Sequence, residues 1–304
     1  SDYNNASGTT ILHYAVNNKN LKIVNSLLSR GVDFTQATNK GNLPLHLAVS
    51  LGDMRIIKAL LTNARKQNLI KYNLMVNATT KEGLSTPLHV AAEKGNFDVV
   101  KLLIKSGAIF NRKNKDDDTP LEDLGEEAAN LAKVLINYGA DYFLVTNKGT
   151  SPLHIAASKG NLEVIKALLN RVKSDCPDKL IDYINGRTVK GSSAMHVAAS
   201  IGAVRWLMQR GGTYNIRNDK YQTPQDVTKD DKIRDLLKTT HDLFESVKKG
   251  SATVRNTLNN LDEEDFKAVA GTRNIEGQTF LQIATKNGSG RLAGKLLEKL
   301  KKLN

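Results

Sequence analysis

The sequence predicts an all-α solenoid of stacked helix–turn–helix units. One phrase recurs along the chain, as TILHYAV at 10–16, LPLHLAV at 43–49, TPLHVAA at 86–92, SPLHIAA at 151–157 and SAMHVAA at 193–199. Most copies are followed by a glycine, and then by a segment whose apolar residues recur at helical spacing and which ends at a second glycine. Self-similarity at this period is typical of repeat proteins in which each unit packs only against its neighbours.

The copy at 83–116 shows how each element is predicted. Thr86 can cap a helix and Pro87 is tolerated in its first turn, so TPLHVAAE predicts a short first helix that ends before Gly95. The segment NFDVVKLLIKSG predicts a longer second helix, and the polar segment AIFNRKNKD predicts a turn into the next unit. Small alanines allow the helices to approach closely.

Five of the six histidines fall at one equivalent position of the phrase, and only His241 does not. Catalytic and metal sites need different groups that converge on one point, whereas a solenoid places equivalent residues in a row. We therefore expect these rings to be structural, with hydrogen bonds to backbone or threonine groups between units. Degenerate copies carry Glu122 and Asp226 at this position, and a late copy reads TFLQIAT at 279–285.

The phrase T-P-L-H-x-A-A, the two glycine stops and the period of 33 residues resemble the ankyrin repeat family. The resemblance implies helix–turn–helix units with projecting hairpin loops, about eight to nine in number and some of them degenerate. It also implies a concave face, lined by the first helices and the loops, that binds other proteins. The family brings no catalytic residues and no cofactor, so we expect a chain that is not an enzyme.

The repeats predict one continuous solenoid. We place repeats 1–7 within residues 1–240, and expect residues 241–304 to form irregular ankyrin-like repeats and a Lys-rich terminal cap. The predicted repeats cover 8–40, 41–82, 83–116, 117–148, 149–190, 191–220 and 221–240. Because the sequence begins with Ser and its first repeat lacks a polar cap, we expect the chain to be a fragment of a longer protein.

The steps between equivalent positions are 33, 43, 33, 32, 42 and 30 residues. The two long steps hold related insertions at 62–83 and 170–191, which indicates that a block of three repeats was duplicated. We expect each insertion to extend the second helix or add a short turn, with Leu69 and Ile70, or Leu180 and Ile181, packed inward. The insertions either enlarge a binding surface or are simply tolerated, since long surface loops cost little to close.

The last of these steps, of 30 residues, is the shortest. It predicts that the second helix within 201–212 lacks one turn and that the Trp206 ring fills the space this leaves. The alternative is that Trp206 contacts a binding partner. Beyond residue 240, HDLFESVKKGSATVRNTLNNL predicts another helix pair, and DEEDFKAVAGTRN a further insertion.

The acidic clusters at 116–118 and 262–265 predict solvated turns, because neither has the spaced ligands of a calcium loop. GSGRLAGKL at 288–296 departs from the phosphate-binding motif at its first glycine, where Ser289 stands, and at its final hydroxyl residue, where Leu296 stands.

The composition narrows the class of partner. The net charge is +13, and more than half of this excess lies in residues 143–220. That asymmetry favours an anionic partner there, although lysine is also common on exposed helix faces. The single cysteine, Cys176, excludes an intramolecular disulfide and a Cys-based zinc site. No apolar run approaches the ~20 residues that a membrane span needs.

In the ankyrin family, contact residues lie in the turns and at the variable end of the first helix. Carried onto matching positions, these are Asn39, Lys40, Asn42, Ser50, Leu51, Lys81, Glu82, Leu84, Glu93, Lys94, Asn147, Lys148, Thr150, Ser158, Lys159, Val189, Lys190, Ser192, Ser200 and Ile201. We expect Leu51 and Ile201 to be exposed apolar residues ringed by lysine, which would suit an acidic partner with a hydrophobic anchor.

Three functions compete. The leading prediction is a protein-interaction scaffold for an acidic partner protein, located in the cytoplasm, or in the host cytosol if the chain belongs to a secreted bacterial effector. The second is direct binding of nucleic acid or anionic lipid by the basic residues 143–220. The scarcity of exposed aromatic side chains argues against recognition of single-stranded nucleic acid. The third is the targeting region of a larger enzyme whose catalytic domain lies outside this chain.

Overall fold

The computed structural model describes residues 6–121, 129–250, 254–287 and 290–303. The regular elements in these ranges are helices, apart from two isolated bridges that join Arg273 to Thr213 and Thr279. The chain divides into two compact units, residues 1–142 and residues 143–304. The predicted all-α class is confirmed, and the boundary between the units falls inside the predicted repeat 117–148.

In the first unit, helix pairs follow one another with one additional helix. The elements are α1 (Ile11–Asn17), α2 (Leu21–Ser29), α3 (Pro44–Ser50), α4 (Met54–Gln67), α5 (Leu69–Val76), α6 (Pro87–Glu93), α7 (Phe97–Lys105) and α8 (Ala129–Asn137). The first helices α1, α3 and α6 pack side by side, and α2 packs on α4. Glu122 and the rest of its degenerate copy, from residue 122 on, lie outside the described residues.

The second unit repeats this order and then departs from it. Its elements are α9 (Pro152–Ser158), α10 (Leu162–Asp175), a 3-10 turn (Pro177–Lys179), α11 (Leu180–Ile184), α12 (Ala194–Val197), α13 (Ile201–Gln209), α14 (Pro224–Val227), α15 (Asp231–Lys248), α16 (Val254–Asn260), α17 (Glu263–Gly271), α18 (Phe280–Lys286) and α19 (Gly290–Leu303). The first helices α9, α12 and α14 pack in sequence. Residues 288 and 289, inside the segment compared with a phosphate loop, are outside the described ranges.

Capping residues explain where the helices begin. The Thr86 hydroxyl accepts from the His89 N–H, and Pro87 occupies the first position of α6, where its missing N–H has no cost. Each second helix from α2 to α13, α8 apart, also starts at a polar side chain that accepts from the backbone N–H three residues on, as Asn96 does for α7. Gly95 turns the chain between the two helices at φ +65°, in the left-handed region. The predicted caps and glycine stops are confirmed.

The insertions extend the second helix, as one of the two predictions had it, and they also add a further short helix that was not predicted. The residues expected to pack inward do not do so. Helices α4 and α10 each have 14 residues, and α5 and α11 follow them. Leu69 and Ile70 are 60% and 73% exposed, whereas the buried residues of α5 are Tyr72, Met75 and Val76. The reason is helical phase: α5 begins at Leu69, so the face at spacing i, i+3, i+4 that meets the core starts at Tyr72.

The same correction holds in the second copy of the insertion. Leu180 and Ile181 are only half-buried, and Tyr183 and Ile184 are the buried residues of α11.

The step of 30 residues reflects a first helix that is about one turn shorter than usual. The prediction that the second helix is the shortened one was wrong. Helix α12 has 4 residues where α6 has 7, while α13 has 9, as α7 does. Trp206 therefore fills no shortened helix. Its ring is half-buried, with Lys166 Nζ 5.4 Å and the Arg210 guanidinium 4.5 Å from its centroid.

Beyond residue 240 the expected helix pair is found in part: its second helix is α16, whereas its first is the end of the preceding helix. His241 lies inside α15, one continuous helix of 18 residues, because an amphipathic pattern runs through it without a glycine or proline. The cluster at 262–265 is the start of α17 and no solvated turn. Asp262 caps that helix, and the Arg205 guanidinium of α13 pairs with Asp262 at 3.1 Å and with Asp265 at 2.7 Å.

No helix within the described ranges is both long and apolar enough to cross a lipid bilayer.

Candidate functional site

The recurrent histidines join each repeat to the next. The His89 Nδ1 atom accepts from the Thr86 N–H at 3.1 Å and lies 2.7 Å from the Thr86 hydroxyl. Its Nε2 atom lies 3.2 Å from the carbonyl oxygen of Asp118, in the next predicted repeat. Equivalent Nε2 contacts of 2.9–3.2 Å reach the carbonyls of Asn42, Ser85, Ser192 and Gln222. The predicted structural role is confirmed.

This geometry keeps the rings neutral. Since Nδ1 accepts a backbone N–H and Nε2 faces a carbonyl, the proton must sit on Nε2. A second proton on Nδ1 would remove the acceptor of the cap, and burial opposes the added charge. Burial lowers the pKa of His46 and of His89 to about 4, and lowers the pKa of His13, His154 and His196 as well. Near neutral pH the rings therefore stay uncharged, and both nitrogens of each ring are already engaged in hydrogen bonds that hold the fold.

Two degenerate copies keep the cap without a histidine. The Asp226 carboxylate accepts from the Thr223 N–H and hydroxyl, both at 2.7 Å, and these bonds lower its pKa. The Gln282 side chain accepts from the Thr279 N–H at 2.8 Å. Every side chain at this position thus accepts a hydrogen bond from the N–H of the N-cap residue. Only the histidine also donates a hydrogen bond to a carbonyl of the next repeat.

A surface groove of about 500 Å³ runs along the first helices of the first unit. Its lining includes the predicted residues Asn42, Ser50, Glu93 and Lys94, of which the last three are exposed. Short, separately capped helices arrayed side by side place these residues in one row. The structure thus brings together four of the residues that the sequence predicted.

The apolar and aromatic lining residues of the groove were missed by the sequence reasoning. Tyr14, Leu47 and Val90 each directly follow a recurrent histidine, and Tyr14 is 49% exposed. Leu47 and Val90 lie three residues before the predicted contacts Ser50 and Glu93, on the same faces of their helices, so helical spacing would have identified them. Tyr14 is the equivalent residue of the first copy, where no contact was predicted, and all three add apolar surface to a site predicted as mostly polar.

The hairpins between repeats carry most of the other predicted residues. The exposed ones are Asn39, Lys40, Lys81, Glu82, Leu84, Asn147, Lys148, Val189 and Lys190, while Thr150 and Ser192 are half-buried. Successive hairpins stack, since the Lys81 N–H donates to the Lys40 carbonyl at 2.9 Å and the Val189 N–H to the Lys148 carbonyl at 2.9 Å. A Cβ on Gly41 would approach the Lys81 nitrogen to 2.5 Å, which explains the glycine at this tip.

Three tips lack that glycine and place Leu84, Asp117 or Tyr221 in the left-handed region. Leu84 and Tyr221 adopt φ +50° and φ +60°, which is costly for bulky side chains. They are 47% and 79% exposed. Strain at an exposed tip that buries little is a feature of contact loops, and Tyr221 was not among the predicted residues.

Charge distinguishes the hairpins of the two units. Lys40 and Glu82 form an exposed ion pair at 3.9 Å. The residues 108 positions later are Lys148 and Lys190, and among the described residues no carboxylate oxygen lies within 4.0 Å of either ammonium. A neutral pair in the first copy is therefore a doubly positive pair in the second. Ser158 and Lys159 are exposed at the end of α9.

Ser200, Ile201 and Leu51 are placed otherwise than expected. Because α12 is short, Ser200 is the N-cap of α13 and Ile201 its first residue, so neither lies at the end of a first helix. The Ser200 hydroxyl donates to the Gly160 carbonyl at 3.3 Å. Leu51 and Ile201 are half-buried, so the expectation of two exposed apolar residues was wrong.

No cluster of three or more histidine, cysteine, aspartate or glutamate side chains that could hold a metal ion exists in the described part of the chain.

The family described as ankyrin repeats (3 copies) matches residues 1–71, 63–143 and 124–218. The chain belongs to the ankyrin-repeat family. This ankyrin-repeat chain is 28% identical over 253 residues to NF-kappa-B inhibitor zeta of Mus musculus, covering 78% of this chain and 32% of that protein. It is 34% identical over 177 residues to the probable 26S proteasome regulatory subunit p28 of Saccharomyces cerevisiae, covering 56% of this chain and 72% of p28.

Among solved structures, the ankyrin repeat domain of Bcl-3, described as a member of the IkappaB protein family, superposes with a TM-score of 0.58 at 26% identity. The match covers 76% of this chain and 99% of the Bcl-3 chain. The ankyrin-repeat chain spans only about a third of the length of NF-kappa-B inhibitor zeta. These relatives are named as inhibitors and regulatory subunits, and none of the three is named as an enzyme.

Proposed function

We propose that this ankyrin-repeat chain is a scaffold that binds an acidic partner protein in the cytoplasm through its first-helix faces and hairpins. The observation that carries the proposal is the row of exposed, variable side chains along α1, α3 and α6 that lines a groove of about 500 Å³. Buried positions of the same helices hold the fold through invariant contacts, so the exposed row is left for recognition. Names such as inhibitor and regulatory subunit among the relatives fit this activity.

The acidic character of the partner is supported by the hairpins of the second unit. Lys148 and Lys190 occupy the positions of an ion pair in the first unit and have no carboxylate beside them among the described residues. An acidic surface would supply the missing charge, and such complementarity speeds association and selects partners more than it adds affinity. Whether the chain acts alone or as the targeting part of a larger enzyme, this part would act by binding.

The test is affinity capture from cell lysates with the immobilised chain and two charge variants. In one variant Lys148 and Lys190 are changed to Glu. In the matched control, the exposed Lys232 and Lys238 of α15 are changed to Glu, so both variants have the same net charge. We expect the wild type and the control to retain the same acidic proteins and the hairpin variant to lose them.

Equal capture by all three proteins would show that the hairpins of the second unit are not the contact. A Tyr14→Ser variant tests the groove of the first unit in the same way, since Tyr14 is half exposed and its loss leaves the core intact. Recovery of nucleic acid, lost on nuclease treatment and steeply reduced by salt, would favour direct nucleic-acid binding over a protein partner.

A further inference from the structure

The second unit contains a cavity that the recognition surfaces described above do not use. It has a volume of about 390 Å³ and lies between the loop at 143–151 and the insertion at 179–187. We call it the insertion cavity; its principal lining residues are Phe143, Val145, Gly149, Lys179, Tyr183 and Arg187. It opens beside the start of α9, whereas the predicted contacts Ser158 and Lys159 lie at the end of that helix.

Aromatic and aliphatic side chains form the walls of the insertion cavity. The rings of Phe143 and Tyr183 meet edge to face, with centroids 5.2 Å apart and planes at 76°. Tyr183 is buried, but Phe143 is 38% and Val145 47% exposed. An aromatic pair fixed in this geometry, with one ring open to solvent, leaves apolar surface that a further large side chain could cover.

The rim of the insertion cavity is positively charged. The Lys179 ammonium lies 5.8 Å from the centre of the Phe143 ring. The Arg187 guanidinium donates to the carbonyls of Gly191 at 3.0 Å and Arg217 at 2.5 Å, which fixes its orientation, and the Asp219 carboxylate lies nearby. Within the described residues, no carboxylate oxygen lies within 4.0 Å of either cation.

Two other titratable groups line the insertion cavity. Asp182 contributes one negative charge. His154 contributes no charge near neutral pH, because burial lowers its pKa. Two cations against one carboxylate leave the site net positive and suited to an anionic group.

The first unit provides an internal comparison. At the positions 108 residues earlier, Phe143, Val145, Tyr183 and Arg187 correspond to Thr35, Ala37, Met75 and Thr79. The counterpart of Lys179 is Lys71, which pairs with Asp33 at 3.5 Å. The second copy of the insertion has therefore gained two rings and a guanidinium. The counterpart of Asp33 is Asp141, so the acidic residue is kept in the sequence, but the Lys179 ammonium lies beside the Phe143 ring.

We propose that the insertion cavity binds an acidic segment of a partner protein whose one large apolar side chain packs against Phe143 and whose carboxylates pair with Lys179 and Arg187. This rests on the proposed function only in taking the ligand to be part of a protein. It adds a site distinct from the first-helix groove and predicts what the partner must present: an aromatic or large aliphatic residue flanked by Asp or Glu.

The test uses the purified chain labelled with ¹⁵N and an unlabelled peptide with a central phenylalanine and two glutamates on each side. We expect the peptide to shift the amide signals of 143–149 and 179–187. Phe143→Thr and Lys179→Glu should each weaken binding about tenfold, as loss of a central anchor does, and added salt should weaken it further. Phe143→Thr installs the residue that the first copy has at Thr35, so the variant is expected to fold.

The matched control is Lys71→Glu, which makes the same charge change at the equivalent place in the first unit and should leave affinity unchanged. Thermal midpoints of all variants check that they are folded. Absence of binding, equal binding of a peptide with serine at its centre, or shifts confined to other segments would overturn the proposal. So would displacement of the peptide by phosphatidylserine vesicles without dependence on Phe143, which would indicate a lipid surface.

A failure here would leave lysate capture through Lys148 and Lys190 unaffected, so the two proposals fail separately.

Discussion

Lowering the pH from 7 to 5 should weaken the array at its recurrent histidines. Each ring accepts at Nδ1 and donates at Nε2, so the folded state holds it neutral, whereas the unfolded chain protonates it near pH 6.5. Between the two pKa values the unfolded state binds more protons than the folded state. The stability contributed by each ring is therefore complete above pH 6.5 and is lost as the pH falls toward the folded pKa.

The magnitude follows for His89, which is fully inside the fold. With a pKa of about 4 in the folded state and 6.5 in the unfolded state, this one ring lowers the free energy of unfolding by about 2 kcal/mol between pH 7 and pH 5. His46 has the same folded pKa of about 4 and adds a similar loss. In a His89→Gln variant, the amide can cap as Gln282 does, but the bond to the Asp118 carbonyl is lost, at a cost of about 1 kcal/mol.

The two stability curves should therefore cross near pH 6: the wild type is more stable at pH 7, and His89→Gln is more stable at pH 5. The assay is equilibrium urea unfolding, followed by far-ultraviolet circular dichroism at pH values from 5 to 7.5. His241→Gln is the matched control, because His241 is exposed in α15 and lies outside the repeat phrase. Parallel curves for the wild type and His89→Gln across this range would refute the reasoning.

Three further predictions concern stability. Arg205→Ala should lower it by about 1–2 kcal/mol in urea unfolding, since the guanidinium pairs with two carboxylates at the start of α17; no change would mean that α17 docks through apolar contacts alone. Tyr221→Gly should raise stability by about 1 kcal/mol by relieving the left-handed backbone, and a lower thermal midpoint would contradict this. In α5, Met75→Ala should cost about 2–5 kcal/mol, whereas the exposed Ile70→Ser should cost less than about 0.5 kcal/mol; equal losses would show that Ile70 is buried in solution.

The insertions show why the sequence could locate a helix without assigning its buried face. The Leu-Ile pairs were predicted to pack inward because they are apolar, but the helix begins at the pair in α5, and its inward face is set by where Asn68 caps it. A shift of the start by one residue rotates the face by about 100°. The cap could have been recognised as Asn followed by apolar residues, yet the exact start depends on the end of α4.

The sequence predicted only some residues of the candidate site, again because it does not show which face of a helix is buried. Glu93 and Lys94 were identified because they vary at a fixed place in each copy, and they do line or flank the groove. The apolar residue after each histidine was missed because a pattern of apolar residues cannot distinguish a buried face from a half-exposed one. Only neighbouring helices decide how much of Tyr14 or Val90 is covered.

The repeat phrase by itself determined the fold class, the caps, the glycine turns and the structural role of five histidines. These features depend on contacts between residues three or four positions apart, or on contacts with an adjacent repeat of similar sequence. The tertiary structure alone decided that the deletion shortens α12 and that Phe143 and Tyr183 meet beside Lys179. Those outcomes depend on contacts between residues distant in sequence, where local propensity carries no information.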